Sequence, residues 1–175
     1  GLASDFSGSK ANESKAKVAS VSVPATVKSL GAYAFGASTT GDASMTQLKS
    51  VTCAEGSQLE TIGNFAFAKT GISEVVIPAG VKTIGQNAFS GDNGVLKNVT
   101  FLSESGSMPE FATDVLTKSS FYGVNGVTAK AYDGTAAATF AQNMVKTNKW
   151  KFESMGKAPE KAAFTVSFNA LGGTP

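Results

Sequence analysis

The segment VKTIGQNAFSG at residues 81–91 has two similar counterparts upstream. VKSLGAYAFGA occupies residues 27–37, and LETIGNFAFAK occupies residues 59–69. Each phrase contains an aliphatic residue, a glycine, two variable residues and the pair Ala-Phe. A phrase repeated in this way predicts an array of small units, each of which buries its apolar edge against its neighbours.

A second motif precedes each phrase and continues once beyond them. It reads apolar, two variable residues, apolar, one variable residue, apolar, in VASVSVP (18–24), LKSVTCA (48–54), ISEVVIP (72–78) and LKNVTFL (96–102). The starts lie 30, 24 and 24 residues apart, and the polar insert STTGDASMT at residues 38–46 explains the longer first interval. Alternation turns Val75 and Ile77 to one side of a strand and Val76 to the other. We therefore expect strands near residues 21–23, 51–53, 75–77 and 99–101, side by side in one parallel sheet.

The phrase after each strand predicts the rest of the unit. Pro24 or Pro78 ends the strand, since proline has no N–H to donate to a ladder. Val81 and Ile84 point inward, and a short helical turn is expected at residues 86–89. The phenylalanines then form a column in the core, an interpretation that we favour over ligand stacking. The members of this column are Phe35, Phe67 and Phe89.

The unit I-P-x-x-V-x-x-I-G-x-x-A-F at residues 77–89 resembles the BspA-type (treponemal) leucine-rich repeat, which is found on surface proteins of host-associated bacteria. It occurs three times, counting a variant with Ala54 in place of proline and two extra residues before Leu59. The resemblance covers residues 18–100. It implies an α/β, mainly β fold: a right-handed leucine-rich-repeat solenoid with one parallel sheet and short helical turns on the other side.

Beyond residue 101 the pattern degenerates and then changes. LTKSSFYG at residues 116–123 predicts a fourth, degenerate repeat, and VTAKAY (127–132) and KWKFE (149–153) predict strands. Between them Thr135 is a candidate N-cap for a helix. The helix should turn a single face inward. That face carries Ala137, Phe140, Ala141, Met144 and Val145. We expect a strand-helix-strand cap with Trp150 as its anchor, in preference to a sugar platform.

These patterns predict five segments. Residues 1–17 are expected to be a linker, 18–126 the repeat array, 127–153 the cap and 154–163 a second linker. FTVSFNALGGTP at residues 164–175 resembles the opening of a Listeria-Bacteroides (internalin-type B) repeat. We therefore expect it to start a following module, so that the chain is one piece of a longer modular surface protein.

Composition argues against catalysis. The chain contains no histidine, so Ser-His-Asp and Cys-His relays and nearly all catalytic zinc sites lack a member. Cys53 takes a position that other repeats fill with Val, Ile or Phe, which favours a small buried hydrophobe over a nucleophile. Asp92 and the two residues after it suggest a surface turn more than a calcium loop. We expect no enzyme activity, no cofactor and no structural transition metal.

Charge and hydropathy argue against two classes of partner, nucleic acid and the membrane interior. The net charge is +2 and the lysines are scattered, which argues against nucleic acid. No apolar run approaches the roughly 18 residues of a membrane span, so we expect no membrane insertion. The resemblance implies an extracellular, cell-surface, monomeric module that adheres to a host extracellular protein or glycan, or to another cell-surface protein.

The expected binding face is the side of the strands opposite the core. It carries Ser20, Ser22, Ser50, Thr52, Glu74, Val76, Asn98 and Thr100, of which Ser22, Thr52, Glu74, Val76, Asn98 and Thr100 are the candidate contact residues. These side chains are mostly small and polar, unlike the Tyr, Trp and Arg of typical hot spots. Two alternatives remain: a structural spacer, or an accessory domain of a larger secreted protein or enzyme.

Overall fold

A computed structural model describes residues 17–37, 45–91, 95–104, 110–111 and 120–159 of the chain. Within these residues the secondary structure is mainly β, with every strand pair parallel and one α-helix. The elements are β1 Ser20–Val23, β2 Ser29–Leu30, β3 Ser50–Cys53, β4 Thr61–Ile62, β5 Glu74–Ile77, β6 Thr83–Ile84, β7 Asn98–Phe101, β8 Glu110–Phe111, β9 Thr128–Ala131, α1 Ala136–Asn148 and β10 Lys151–Ser154. The four strands predicted from the repeated motif are β1, β3, β5 and β7.

The strands form three hydrogen-bonded sheets, so the prediction of one sheet was wrong. β1 pairs with β3, while β5, β7, β9 and β10 form a second sheet in that order. The third sheet contains the short strands β2, β4, β6 and β8, which the sequence patterns did not predict. We call the units that contain β1, β3, β5 and β7 repeats 1 to 4. Repeats 2 and 3 therefore pair through β4 and β6, although no ladder joins β3 to β5.

Proline contributes to the break between β3 and β5. At the other two junctions, the residue after the strand donates a backbone hydrogen bond to the preceding repeat. The N–H of Ala54 donates to the carbonyl of Val23, and that of Leu102 to the carbonyl of Ile77, both at 3.0 Å. The equivalent residue of repeat 3 is Pro78, which has no N–H. Pro78, which ends β5, therefore also lacks one of the backbone hydrogen bonds that would join β5 to β3.

The predicted helical turn at residues 86–89 is a left-handed turn instead. Asn87 has a φ of 55°, and the equivalent residues Tyr33 and Phe65 have φ of 58° and 56°. A right-handed helix cannot continue through that region of φ. The backbone in this turn is hydrogen-bonded to the neighbouring repeat. The N–H of Phe65 donates to the carbonyl of Gln86 (2.9 Å), and the N–H of Phe67 donates to the carbonyl of Ala88 (2.7 Å).

The phenylalanine column forms as predicted and extends by one ring. Phe35 stacks on Phe67 with 5.3 Å between ring centroids, and Phe67 stacks on Phe89 at 5.2 Å. Phe121, from the degenerate repeat, stacks on Phe89 at 4.9 Å. The neighbouring Ser120 takes the place of alanine, and its hydroxyl donates to the carbonyl of Ile84 at 2.7 Å. The hydroxyl group that serine adds at this position therefore has a hydrogen-bond partner inside the core.

The strand, helix and strand predicted near residues 127–153 are present as β9, α1 and β10. The hydroxyl of Thr135 accepts a hydrogen bond from the N–H of Ala138 (3.2 Å), as an N-cap does. Trp150 is 2% exposed, and its indole N–H donates to the carbonyl of Val124 at 2.9 Å. Its ring meets Phe121 edge-on at 5.3 Å. Trp150 therefore packs on the C-terminal end of the column.

Two core predictions need correction. Val145 is exposed, because the inward face of α1 is centred on Ala137, Ala141 and Met144 and includes Ala138 in its place. Cys53 packs against the core but is only half-buried. Val21 and Val51 beside it are half-buried too. Burial is thus less complete in repeats 1 and 2, which lie farthest from the α1 end.

Candidate binding face

Alternation along the strands separates a buried side from an exposed side. In β5, Val75 and Ile77 are buried, whereas Glu74 and Val76 are exposed. β7 follows the same alternation, with Val99 and Phe101 buried. We call the exposed side of β1, β3, β5, β7, β9 and β10 the strand face.

Strand register arranges the strand face in two rows. The first row holds Ser20 and Ser50 on the β1–β3 pair and, on the larger sheet, Glu74, Asn98, Thr128 and Lys151. The second holds Ser22 and Thr52 and then Val76, Thr100, Lys130 and Glu153. Neighbouring side chains in a row lie about 4.8 Å apart, the spacing of paired strands.

The candidate contact residues occupy this face, and all but one are exposed. Ser22, Thr52, Glu74, Val76 and Asn98 are exposed, while Thr100 is half-buried. Val76 is 49% exposed and has the largest apolar side chain on the face. The structure brings Glu74, Val76, Asn98 and Thr100 together on β5 and β7, whereas Ser22 and Thr52 lie on the separate β1–β3 pair.

Sequence reasoning missed the contribution of β9 and β10 to this face. The two strands were predicted as parts of a cap, but their pairing with β7 extends the face by two strands. They contribute exposed Lys130, Lys151 and Glu153, with an ion pair of 3.5 Å between Lys130 and Glu153. The residues TAK and KFE already showed the alternation of an exposed edge, but the parallel register that joins them to β7 is a tertiary feature.

Electrostatically the strand face is mixed. Glu74 and Glu153 are balanced by Lys130 and Lys151. The two lysines and Glu153 lie on β9 and β10, whereas the exposed side of the β1–β3 pair carries only serine and threonine side chains. A surface of this composition offers hydrogen bonding and one apolar contact, without a concentrated field of one sign.

Cys53 points away from the strand face. Burial raises the pKa of the Cys53 thiol, and a hydrogen bond with Ser57 acts in the opposite direction. A raised pKa keeps the thiol protonated at neutral pH, and the thiolate is the nucleophilic form. Cys53 is therefore better suited to packing against the core than to acting as a nucleophile.

A second exposed feature lies on the turn side of the repeats. Tyr33 is 44% exposed and stacks on Phe65 with 5.1 Å between ring centroids and 6° between ring planes. Glu60 pairs with Lys82 across β4 and β6 at 3.0 Å. These contacts join neighbouring repeats along their outer surface.

The described part of the chain brings no group of three or more His, Cys, Asp or Glu side chains together as a metal site would. No helix in that part is long and apolar enough to span a bilayer. Residues 92–94 and 38–44, where the turn and most of the polar insert were predicted, lie outside the described residues, as do residues 112–119 and 160–175.

Residues 8–125 match the family model described as BspA type leucine rich repeat region, in six copies. The match spans the four repeats and part of the segment before them. Comparisons with curated proteins and with solved structures gave no significant match.

Proposed function

Because the chain belongs to the BspA-type leucine-rich-repeat family, we propose that it is a non-catalytic cell-surface module that adheres to a host extracellular protein or glycan through its strand face. Families of this type are commonly surface-associated and take part in protein interactions. The arrangement proposed for the repeats is a right-handed solenoid, whose parallel strands line one side.

One observation carries this proposal: the regular extent of the strand face. β5, β7, β9 and β10 align two rows of side chains across four strands, and the β1–β3 pair adds two more strands to the same array. Repeat proteins use such extended surfaces for binding, because each repeat adds contact area without changing the fold.

The chemistry of the face favours weak binding at each repeat. Serine and threonine hydroxyls make adaptable hydrogen bonds, but they bury little apolar area. Val76 supplies the largest apolar contact, and Thr52 holds the equivalent position of the repeated motif in β3, which no ladder joins to β5. Several copies of the module on one cell surface would raise the overall affinity through multivalency.

The test places two arginines on the strand face. In the double variant Thr52→Arg/Val76→Arg, bulky cations lie on both sides of the β3–β5 junction. We expect loss of retention on immobilised extracellular-matrix proteins or on glycan arrays, with an unchanged melting temperature. The matched control is Thr26→Arg/Gln58→Arg, which adds the same charge at exposed turn positions away from this face. It should bind as the unaltered chain does.

Three outcomes contradict the proposal. Binding that survives Thr52→Arg/Val76→Arg moves the site to residues 38–46 or to the α1 end of the chain. Equal loss in both double variants shows a general charge effect. No binding by the unaltered chain on any surface favours the alternative, a structural spacer that holds another domain away from the cell, which the small polar side chains of the face also suit.

A further inference from the structure

The two ends of the phenylalanine column differ. At the α1 end, Trp150 and Phe140 pack around Phe121. At the other end Phe35 is only half-buried, and no described side chain stacks on its outer ring face. Four more half-buried apolar side chains belong to the same repeat: Val18, Val21, Val27 and Ala34. An array of this kind needs a cover on such an end.

Three backbone carbonyl groups at this end have no hydrogen-bond donor among the described residues, although their equivalents in repeats 2 and 3 do. At the junction of repeats 1 and 2 and at that of repeats 2 and 3, three N–H groups at alternate positions donate to the next repeat. Tyr33, Phe35 and Ala37 donate to the carbonyls of Asn64, Ala66 and Ala68, at 2.9, 2.8 and 3.2 Å. Phe65, Phe67 and Lys69 donate likewise to Gln86, Ala88 and Ser90. The equivalent acceptors on repeat 1 are the carbonyls of Ala32, Ala34 and Gly36, and no donor to them lies among the described residues.

The N-terminal sequence contains a matching segment. DFSG at residues 5–8 repeats AFSG at residues 88–91, with Phe6 in the place of Phe89. Val18, which opens the first strand motif, is the twelfth residue after Phe6. Leu48, which opens the second, is the thirteenth residue after Phe35. The length of chain between Phe6 and Val18 therefore matches the one junction that contains an insert, at residues 38–46, and exceeds the other two, in which Ile72 is the fifth residue after Phe67 and Leu96 the seventh after Phe89.

We infer that residues 3–8 dock on the open end of repeat 1, where Phe6 stacks on Phe35 and continues the column. In this register the N–H groups of Ser4, Phe6 and Gly8 have the alternate spacing that the three open carbonyls require. The family match begins at residue 8, in the same segment. Residues 1–17, predicted as a linker, would then contain the cover of the array.

The one departure from the repeat pattern agrees with this position. Asp5 aligns with Ala34, Ala66, Ala88 and Ser120. Ala66, Ala88 and Ser120 are fully buried, but Ala34, at the end of the described array, is half-buried. A carboxylate is tolerated only at the outermost unit, and terminal units of repeat arrays carry polar outer faces.

A cysteine pair tests the register. Ser4 aligns with Tyr33, and rings at that position stack between neighbouring repeats. Neighbouring strands lie about 4.8 Å apart, which is within the Cα separation of a disulfide. In a Cys53→Ser background, Ser4→Cys/Tyr33→Cys should form an intramolecular disulfide in most molecules on mild oxidation, measured by mass spectrometry and non-reducing electrophoresis. The control Ser4→Cys/Phe65→Cys places the thiols two repeats apart, about 10 Å, and should remain reduced.

The results separate docking from its alternatives. No disulfide in the first pair, or equal oxidation of both pairs, overturns the inference, since the second result indicates an undocked tail. Disulfide-linked dimers would assign the open end to a second copy of the chain. In a chain with Cys53 intact, Phe6→Ala should also lower the melting temperature by a few degrees, while Asn12→Ala leaves it unchanged. An unchanged melting temperature in Phe6→Ala would show that Phe6 does not stack.

Discussion

Phe67→Ala tests whether the phenylalanine column holds the repeats together. Phe67 is 3% exposed and lies between two rings, with centroid distances of 5.3 Å to Phe35 and 5.2 Å to Phe89. Removing a buried phenylalanine costs about 3–5 kcal/mol from lost transfer free energy and the cavity that remains. Two stacked neighbours place the expected cost toward the upper part of that range. At about 2–4 °C for each kcal/mol in a chain of this size, the melting temperature should fall by roughly 10 °C or more.

Urea denaturation followed by two signals measures this loss. Far-ultraviolet circular dichroism reports on all the strands and α1, whereas the fluorescence of Trp150, the single tryptophan, reports on the α1 end. Stability in repeat arrays depends on coupling between nearest neighbours. We therefore expect Phe67→Ala to separate the two transitions, with repeats 1 and 2 unfolding at lower urea than the region around Trp150. In the unaltered chain the transitions should coincide.

Tyr33→Ala is the matched control. Tyr33 also stacks between repeats, but among the described residues only the ring of Phe65 stacks on it, and it is 44% exposed. Its removal should cost about 1 kcal/mol. A loss below about 1 kcal/mol for Phe67→Ala, or equal losses for the two variants, would show that the buried column is not the main source of coupling between repeats.

Three further predictions concern the α1 end and Cys53. Trp150→Phe replaces the indole with a smaller ring and removes its hydrogen bond to the carbonyl of Val124, which still accepts from the side-chain amide of Asn148 at 3.4 Å. It should cost about 1–3 kcal/mol in urea denaturation, because a buried hydrogen bond is lost and part of the ring's site is left empty. Thr135→Ala removes the N-cap of α1 and should cost about 1 kcal/mol, whereas Thr135→Ser should restore most of it. The pKa of the Cys53 thiol is raised in the folded chain. Its contribution to the free energy of unfolding is therefore fully present below the ordinary thiol pKa, and it is lost as the pH rises through the raised pKa. The urea midpoint of the unaltered chain should therefore fall more between pH 8 and pH 10.5 than that of Cys53→Ala, and equal falls would contradict this.

The sequence was sufficient for the features that depend on local periodicity. A period of two placed β1, β3, β5 and β7, since a strand sends successive side chains to opposite faces. Proline marked the ends of β1 and β5, and Thr135 marked the start of α1. The recurring phenylalanine predicted the column, because one large residue repeated at one register must meet its equivalents when the units stack.

The candidate face was predicted in part. Its six candidate residues follow from alternation alone, and five of them are exposed. The extension through Lys130, Lys151 and Glu153 required the parallel register of β9 and β10, which brings together residues far apart in the sequence. Hydropathy contains no information about that register when both strands are short.

Local sequence pattern is therefore enough to predict which residues face the core and where each strand ends, because both depend on side-chain spacing and on whether a residue can donate a hydrogen bond. The positions at which the ladders break, and the pairing of backbone groups between repeats, depend on which segments lie side by side in the folded chain. Pro78 ends β5 in the sequence, but its missing N–H interrupts the sheet only because β3 lies beside it. The positive φ of Tyr33 and Phe65 accompanies the same kind of pairing, since their N–H groups donate to the carbonyls of Asn64 and Gln86 on the next repeat.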